Sequence, residues 1–210
     1  MDNSSYSKKV GILGGTFNPI HVGHLIIAQN ALERCGLDKV LIMPSGCSYL
    51  KDPDDVADVS DRVEMTRLAI EDNDRFELST IEADREGNSY TCETLDILTS
   101  RNPDTRYYYI IGADTLFSME RWKRPFDIFS ACTIVCARRD NVPDKMIKAQ
   151  AGYLQDNYNA DVIIMDDDEI PISSTFIREM IADGRSCRYY LDKKVVRYIN
   201  DNGLYRKQTV

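Results

Sequence analysis

Apolar and polar positions along the chain alternate between two patterns. Short apolar runs, Lys9-Val10-Gly11-Ile12-Leu13-Gly14 and Lys39-Val40-Leu41-Ile42-Met43, have the form of buried parallel strands. Between them, Val22 to Cys35 carries Leu25, Ile26, Ala28, Ala31 and Leu32 at helical spacing, and Gly36 closes it as a C-cap. Strand, helix and strand in this order form a βαβ unit, which implies a right-handed crossover and a parallel sheet. The alternation then continues. Ser45 to Val59 is polar and loop-like, and Ser60-Asp61 opens a helix through Val63, Met65, Leu68 and Ile70. Strands are expected at Phe76–Ser79, Arg106–Gly112, Cys132–Cys136 and Asp161–Met165. Helices are expected at Thr91–Ser100, Trp122–Phe129, Val142–Tyr158, Ser174–Asp183 and Lys193–Asn202. The pattern predicts one α/β domain over residues 1–210, a doubly wound parallel sheet with a small C-terminal helical segment from about 173 to 210. In such sheets ligands bind beyond the carboxyl ends of the strands.

Composition narrows the partners. With 43% hydrophobic and 29% charged residues the chain has the make-up of a soluble globular protein. No apolar stretch approaches the roughly 18 residues of a membrane span, and the N-terminus lacks an apolar signal core, so a cytoplasmic protein is expected. A net charge of −8 argues against wrapping DNA or RNA but leaves room for a small anion in a locally positive pocket. The six cysteines include no C-x-x-C pair and are expected to be reduced and mostly buried. The oligomeric state is not legible at this level.

Chemistry concentrates after the first strand. The chain has 2 histidines, His21 and His24, and their spacing places both imidazoles on one side of a helix start. Gly14-Gly15 allows a sharp turn that brings amides close to a bound anion, and the helix dipole favours phosphate. Gly23 is expected to open the helix start to a ligand, and Pro19 to occupy its first turn. The segment is neither a dinucleotide G-x-G-x-x-G nor a P-loop. The histidine pair has no Cys or carboxylate at a useful spacing for a protein-held metal, so none is expected.

The string Gly14-Gly15-Thr16-Phe17-Asn18-Pro19-Ile20-His21-Val22-Gly23-His24-Leu25 resembles the T/H-x-G-H signature of the nucleotidyltransferase superfamily. Over almost its full length the chain is similar to the bacterial nicotinate-nucleotide adenylyltransferases. Three further segments carry the resemblance: Ile172-Ser173-Ser174-Thr175-Phe176-Ile177-Arg178, Ile111-Gly112-Ala113-Asp114, and Ser89-Tyr90-Thr91-Cys92-Glu93-Thr94-Leu95.

The resemblance implies transfer of the adenylyl group of ATP to nicotinate mononucleotide, giving deamido-NAD and pyrophosphate, with Mg2+ accompanying ATP. It assigns His21, His24, Arg178 and Lys51 to catalysis. Gly14, Gly15, Thr16, Phe17, Gly112, Asp114, Ser173, Ser174 and Thr175 join the histidines and Arg178 around ATP, with Asp114 on the ribose. Tyr90, Thr91, Trp122 and Asn18 go to the mononucleotide, the amides at Tyr90–Thr91 meeting its carboxylate. The family usually has Pro-Pro-His-Lys after the second strand. Here Ser48-Tyr49-Leu50-Lys51 stands there, and only the lysine is kept. Competing readings are a sister transferase acting on nicotinamide mononucleotide or phosphopantetheine, and a nucleotide-binding module without catalysis.

Overall fold

The computed structural model describes residues 6–46, 56–138, 142–166 and 170–206. Its strands are β1 (Lys8–Gly15), β2 (Lys39–Pro44), β3 (Phe76–Leu78), β4 (Thr105–Gly112), β5 (Cys132–Ala137) and β6 (Val162–Ile164). They form one six-stranded sheet in the order β3-β2-β1-β4-β5-β6, with every pairing parallel. Parallel strands are covered on both faces, which is why β2 and β5 read as nearly unbroken apolar runs. The doubly wound α/β expectation holds.

Two cores flank the sheet. On one face α1 (Val22–Arg34), α2 (Val59–Ile70), α7 (Ser174–Ala182) and α8 (Lys193–Asp201) bury Leu32, Met65, Ile177 and Val195 against Leu13, Ile42 and Ile110. On the other, α3 (Thr91–Arg101), α4 (Ala113–Leu116), α5 (Pro125–Ala131) and α6 (Asp144–Tyr158) bury Leu95, Leu116, Phe129 and Leu154 against Ile12, Tyr109 and Ile134. The C-terminal helix α8 is sewn to α2 by Tyr198 Oη donating to Asp61 Oδ1 at 2.8 Å and by the Lys194–Glu71 ion pair at 2.7 Å.

Two local expectations are corrected. Trp122 is not in a helix. It follows a 3-10 turn at Met119–Arg121, and α5 begins only at Pro125. Proline suits the first helical position but drives the residue before it out of helical backbone, and Arg124 sits at φ 54°. Pro19 does not open α1 either; that helix is capped by His21 in extended backbone, with Pro19 ahead of it.

In the order 3-2-1-4-5-6 the chain reverses its direction of winding between β1 and β4. Their carboxyl ends, Gly15 and Gly112, therefore flank the crevice where such sheets bind ligands.

Candidate active site

A cleft of about 460 Å³ opens at that crevice. Of the residues singled out in the sequence, Gly14, Gly15, Thr16, Phe17, His24, Gly112, Trp122, Ser173, Ser174 and Thr175 line it. Residues from the two ends of the chain thus meet at one place.

The turn after β1 is tightly packed, and its glycines are required by close approaches. A Cβ on Gly15 would lie 2.8 Å from the Phe17 ring, and one on Gly14 would lie 3.2 Å from Tyr109 Oη. Phe17 itself turns through φ 49° and sets its ring edge against His24, with centroids 5.0 Å apart. The two imidazoles are stacked, with centroids 3.7 Å apart and planes at 27°. The His21 backbone N–H donates to His24 Nδ1 at 3.2 Å. A ring nitrogen that accepts carries no proton, so the proton of His24 resides on Nε2, at the other side of the ring.

Both histidines border a small neighbouring cavity of about 30 Å³ with Arg138 and Ile172; His24 lines the cleft as well, whereas His21 is 4% exposed and does not. Gly23 borders the same cavity, and a Cβ there would lie 3.0 Å from His21 Nδ1, so the glycine also makes room for the histidine ring.

The start of α7 forms the adjoining wall. Ser173 caps the helix, its Oγ accepting from the Phe176 N–H at 3.2 Å, and Ser174 Oγ donates to Pro19 O at 2.9 Å. Arg178 donates from Nη1 to Asn18 O at 3.0 Å and from Nη2 to Thr175 Oγ1 at 3.4 Å. The two motifs most distant in the sequence are therefore joined directly.

Asn18, assigned to the mononucleotide from the sequence, is 1% exposed and does not line the cleft. Its Oδ1 accepts from the Ala57 N–H at 3.0 Å and from Tyr205 Oη at 2.8 Å. It joins the turn after β1 to the approach to α2 and to the C-terminal segment. Burial pushes the Tyr205 phenol well above its usual range, which keeps it a donor.

Arg62 escaped the sequence reading. It is 1% exposed and donates to the carbonyls of Ala57, Thr16, Ser45 and Gly46 at 2.7–3.0 Å. One buried guanidinium so ties the phosphate turn to the end of β2 and to the approach to α2. A charge inside an amphipathic helix reads as a solvated face, and nothing in the pattern marked this one. Lys51, with Ser48, Tyr49 and Leu50, lies outside the described residues.

The far end of the cleft is aromatic. Trp122 sets its edge against Tyr109, with centroids 6.3 Å apart and planes at 88°. Tyr109 Oη lies 3.4 Å from Thr91 Oγ1, at the first residue of α3. The amides of Glu93 and Thr94 return to Tyr90 O, which leaves those of Thr91 and Cys92 as the open donors of that helix start. The Tyr90 ring is held by Lys123, whose Nζ is 4.2 Å from its centroid and 2.7 Å from Glu93. Asp114 is exposed on the first turn of α4, where its neighbour Thr115 faces the cleft. Glu82, also unanticipated, lines the cleft while only 8% exposed.

The five described cysteines, Cys35, Cys92, Cys132, Cys136 and Cys187, are all free, and only Cys35 is partly exposed. Burial pushes the Cys132 and Cys136 thiols up to about 12, which denies them thiolate chemistry near neutral pH. No helix among the described residues is long and apolar enough to cross a membrane.

A glycine-lined turn, a histidine, and serines with an arginine at a second helix start are thus gathered at one sheet crevice. The chain belongs to the cytidylyltransferase-like family, whose model matches residues 12–180. Within it, relatives carrying the name "probable nicotinate-nucleotide adenylyltransferase" match nearly end to end. That of Lachnoclostridium phytofermentans is 39% identical, covering 94% of this chain and 99% of the relative. That of Lactococcus lactis is 38% identical, covering 96% of this chain and 97% of the relative. Among solved structures, the Plasmodium falciparum nicotinic acid mononucleotide adenylyltransferase complexed with NaAD superposes with a TM-score of 0.77. That match covers 94% of this chain and 97% of the other at 17% identity, a likeness of fold.

Proposed function

We propose that this chain catalyses attack of the 5′-phosphate of nicotinate mononucleotide on the α-phosphorus of ATP, forming deamido-NAD and pyrophosphate. The observation that carries this reading is the single cleft between β1 and β4. One wall presents His24 and the start of α7; the other presents Trp122 and Tyr109, whose Oη lies 3.4 Å from Thr91 at the start of α3.

The acceptor phosphate is already an anion, so no side-chain nucleophile is needed. The protein's part is to align the two nucleotides and stabilise the charge that builds on the bridging and leaving oxygens. His24 Nε2 donates to a phosphate oxygen, fixed in that role by the bond that Nδ1 accepts. Ser173 Oγ accepts from the Phe176 amide, which frees its own hydroxyl hydrogen for a phosphate. Ser174 has committed its hydrogen to Pro19 O, so it serves through its position at the α7 start. Arg178, anchored on Asn18 O, offers its remaining N–H groups to the departing pyrophosphate, with Lys51 as a second cation. His21 acts through the His24 backbone turn and from the neighbouring cavity. Asp114 accepts from the ribose hydroxyls beside Gly112.

The residues present fit magnesium held mainly by substrate and water. Among the described residues no three His, Cys, Asp or Glu side chains are gathered to hold an ion. When bound, Mg2+ supplies charge neutralisation on the phosphate oxygens. The partners are thus two small nucleotides met in the cytoplasm, with a net charge of −8 disfavouring DNA or RNA.

Dinucleotide formation from ATP with nicotinate mononucleotide, nicotinamide mononucleotide and phosphopantetheine tests the proposal. Near neutral pH the acid is expected to exceed the amide in kcat/KM by roughly tenfold or more, the difference that about 1.4 kcal/mol makes. Turnover of phosphopantetheine alone would overturn it.

A further inference from the structure

Glu82 is out of place in a cleft built for anions. Among the described residues it is the only carboxylate lining the cleft, and it is nine-tenths buried. Its Oε1 accepts from Thr94 Oγ1 at 2.9 Å, one turn into α3, and no bond to Oε2 is made among the described residues. The groups around it come from several elements. Its own loop supplies Arg85, drawn to Glu93 of α3 at 3.6 Å, and Ser89, whose Oγ donates to the Glu82 carbonyl at 3.3 Å. From β4 comes the Tyr109 phenol. From the end of β2 comes the Gly46 backbone, where a Cβ would lie 2.5 Å from the Glu82 carbonyl oxygen. Among the described residues no cation pairs directly with Glu82; Arg85 acts on it only at a distance.

Glu82 is thus tied to the first turn of α3 through Thr94 and faces Tyr109, whose Oη lies 3.4 Å from Thr91 Oγ1, so its carboxyl stands on the side of the cleft where the carboxylate of nicotinate would bind. Two ionised carboxylates in one buried site repel each other, and such a pair is stable when it shares a proton. We propose that Glu82 is the specificity-determining residue of the acceptor subsite. As the protonated acid it donates a hydrogen bond to the substrate carboxylate; as the carboxylate it accepts one from a carboxamide N–H in the same position. The proposal rests on the mononucleotide reading above.

Burial already pushes the Glu82 carboxyl above its usual range, while the Thr94 hydroxyl and the Arg85 charge pull it back. A second negative charge on the bound acid pushes it further up. Because kcat/KM reports the free enzyme, the ratio follows the burial-raised carboxyl of the unliganded site: the donor form is lost as pH rises through that value, so preference for the acid falls with rising pH. The 5′-phosphate is common to both acceptors, so its ionisation cancels in a ratio of kcat/KM values.

The experiment measures that ratio, acid over amide, from about pH 6 to about pH 9 in the full-length enzyme. In the wild type it should fall by about tenfold or more across the range, the effect of one proton on one hydrogen-bonding site. Glu82→Gln keeps an acceptor for Thr94 and a permanent N–H for the acid, so its ratio should stay high and flat. Thr94→Val removes a bond that favours the ionised form and should move the midpoint of the fall to higher pH. A wild-type ratio independent of pH, a Glu82→Gln curve that follows the wild type, or an unmoved midpoint in Thr94→Val would each overturn the proposal. No dinucleotide from either acceptor at any pH would instead overturn the function on which it rests.

Discussion

The two ends of the cleft are built in different ways. The end proposed to hold phosphate is made of contiguous motifs, the turn from Gly14 to His24 and the segment from Ser173 to Arg178, whose members hydrogen-bond one another across 155–160 residues of sequence. The acceptor end is assembled from single residues on separate elements: Glu82 in a loop, Thr91 at a helix start, Tyr109 on a strand and Trp122 after a 3-10 turn. Backbone amides and fixed donors suit a triphosphate, which presents the same oxygens in every substrate. A pyridine ring with an acid or amide substituent needs a shaped, apolar slot with one or two polar groups, which side chains from several elements provide. Damage to the first end should therefore cost turnover, and damage to the second should cost recognition.

The largest effect is expected from His24→Ala. Removing a preorganised donor to the reacting phosphates should lower kcat by about 3–4 kcal/mol of transition-state stabilisation while KM for ATP changes far less. Near-normal kcat would remove His24 from the chemistry. Trp122→Ala comes next. Loss of the ring that packs on Tyr109 should raise KM for the mononucleotide roughly tenfold or more, with KM for ATP unchanged, as lost stacking and burial predict. An equal rise in both KM values would erase the division between the two ends. The smallest effect belongs to Tyr205→Phe, which deletes the bond to Asn18 Oδ1 while keeping the ring. It should cost about 1 kcal/mol of stability in denaturant unfolding. Because Asn18 O anchors Arg178, kcat should fall several-fold with little change in the mononucleotide KM. A stability loss with kcat intact would make Tyr205 a packing residue only.

The same contrast explains what could be read from the chain beforehand. Strands such as β1 and β2 are continuous apolar runs, and the phosphate-end residues lie within a few positions of one another, so pattern and spacing exposed them. Long-range packing decides what the pattern leaves open. Asn18 sits inside the motif, and its Oδ1 is held by Tyr205 and Ala57 from distant segments. Gly23 borders a small cavity and also clears space for the His21 ring. Arg62 and Glu82 carry no mark in the sequence pattern. Only tertiary structure shows that one holds four carbonyls and the other faces the cleft. The helix expected from Trp122 was delayed to α5 because Pro125 and the left-handed Arg124 fix its start.

The central claim is that one cleft aligns the two nucleotides for direct adenylyl transfer. It is tested most directly by following ATP labelled on its α-phosphate. The account predicts that with nicotinate mononucleotide the label appears stoichiometrically in the dinucleotide, while pyrophosphate and the protein stay unlabelled. Label retained in ADP, or bound covalently to the protein during turnover, would contradict it.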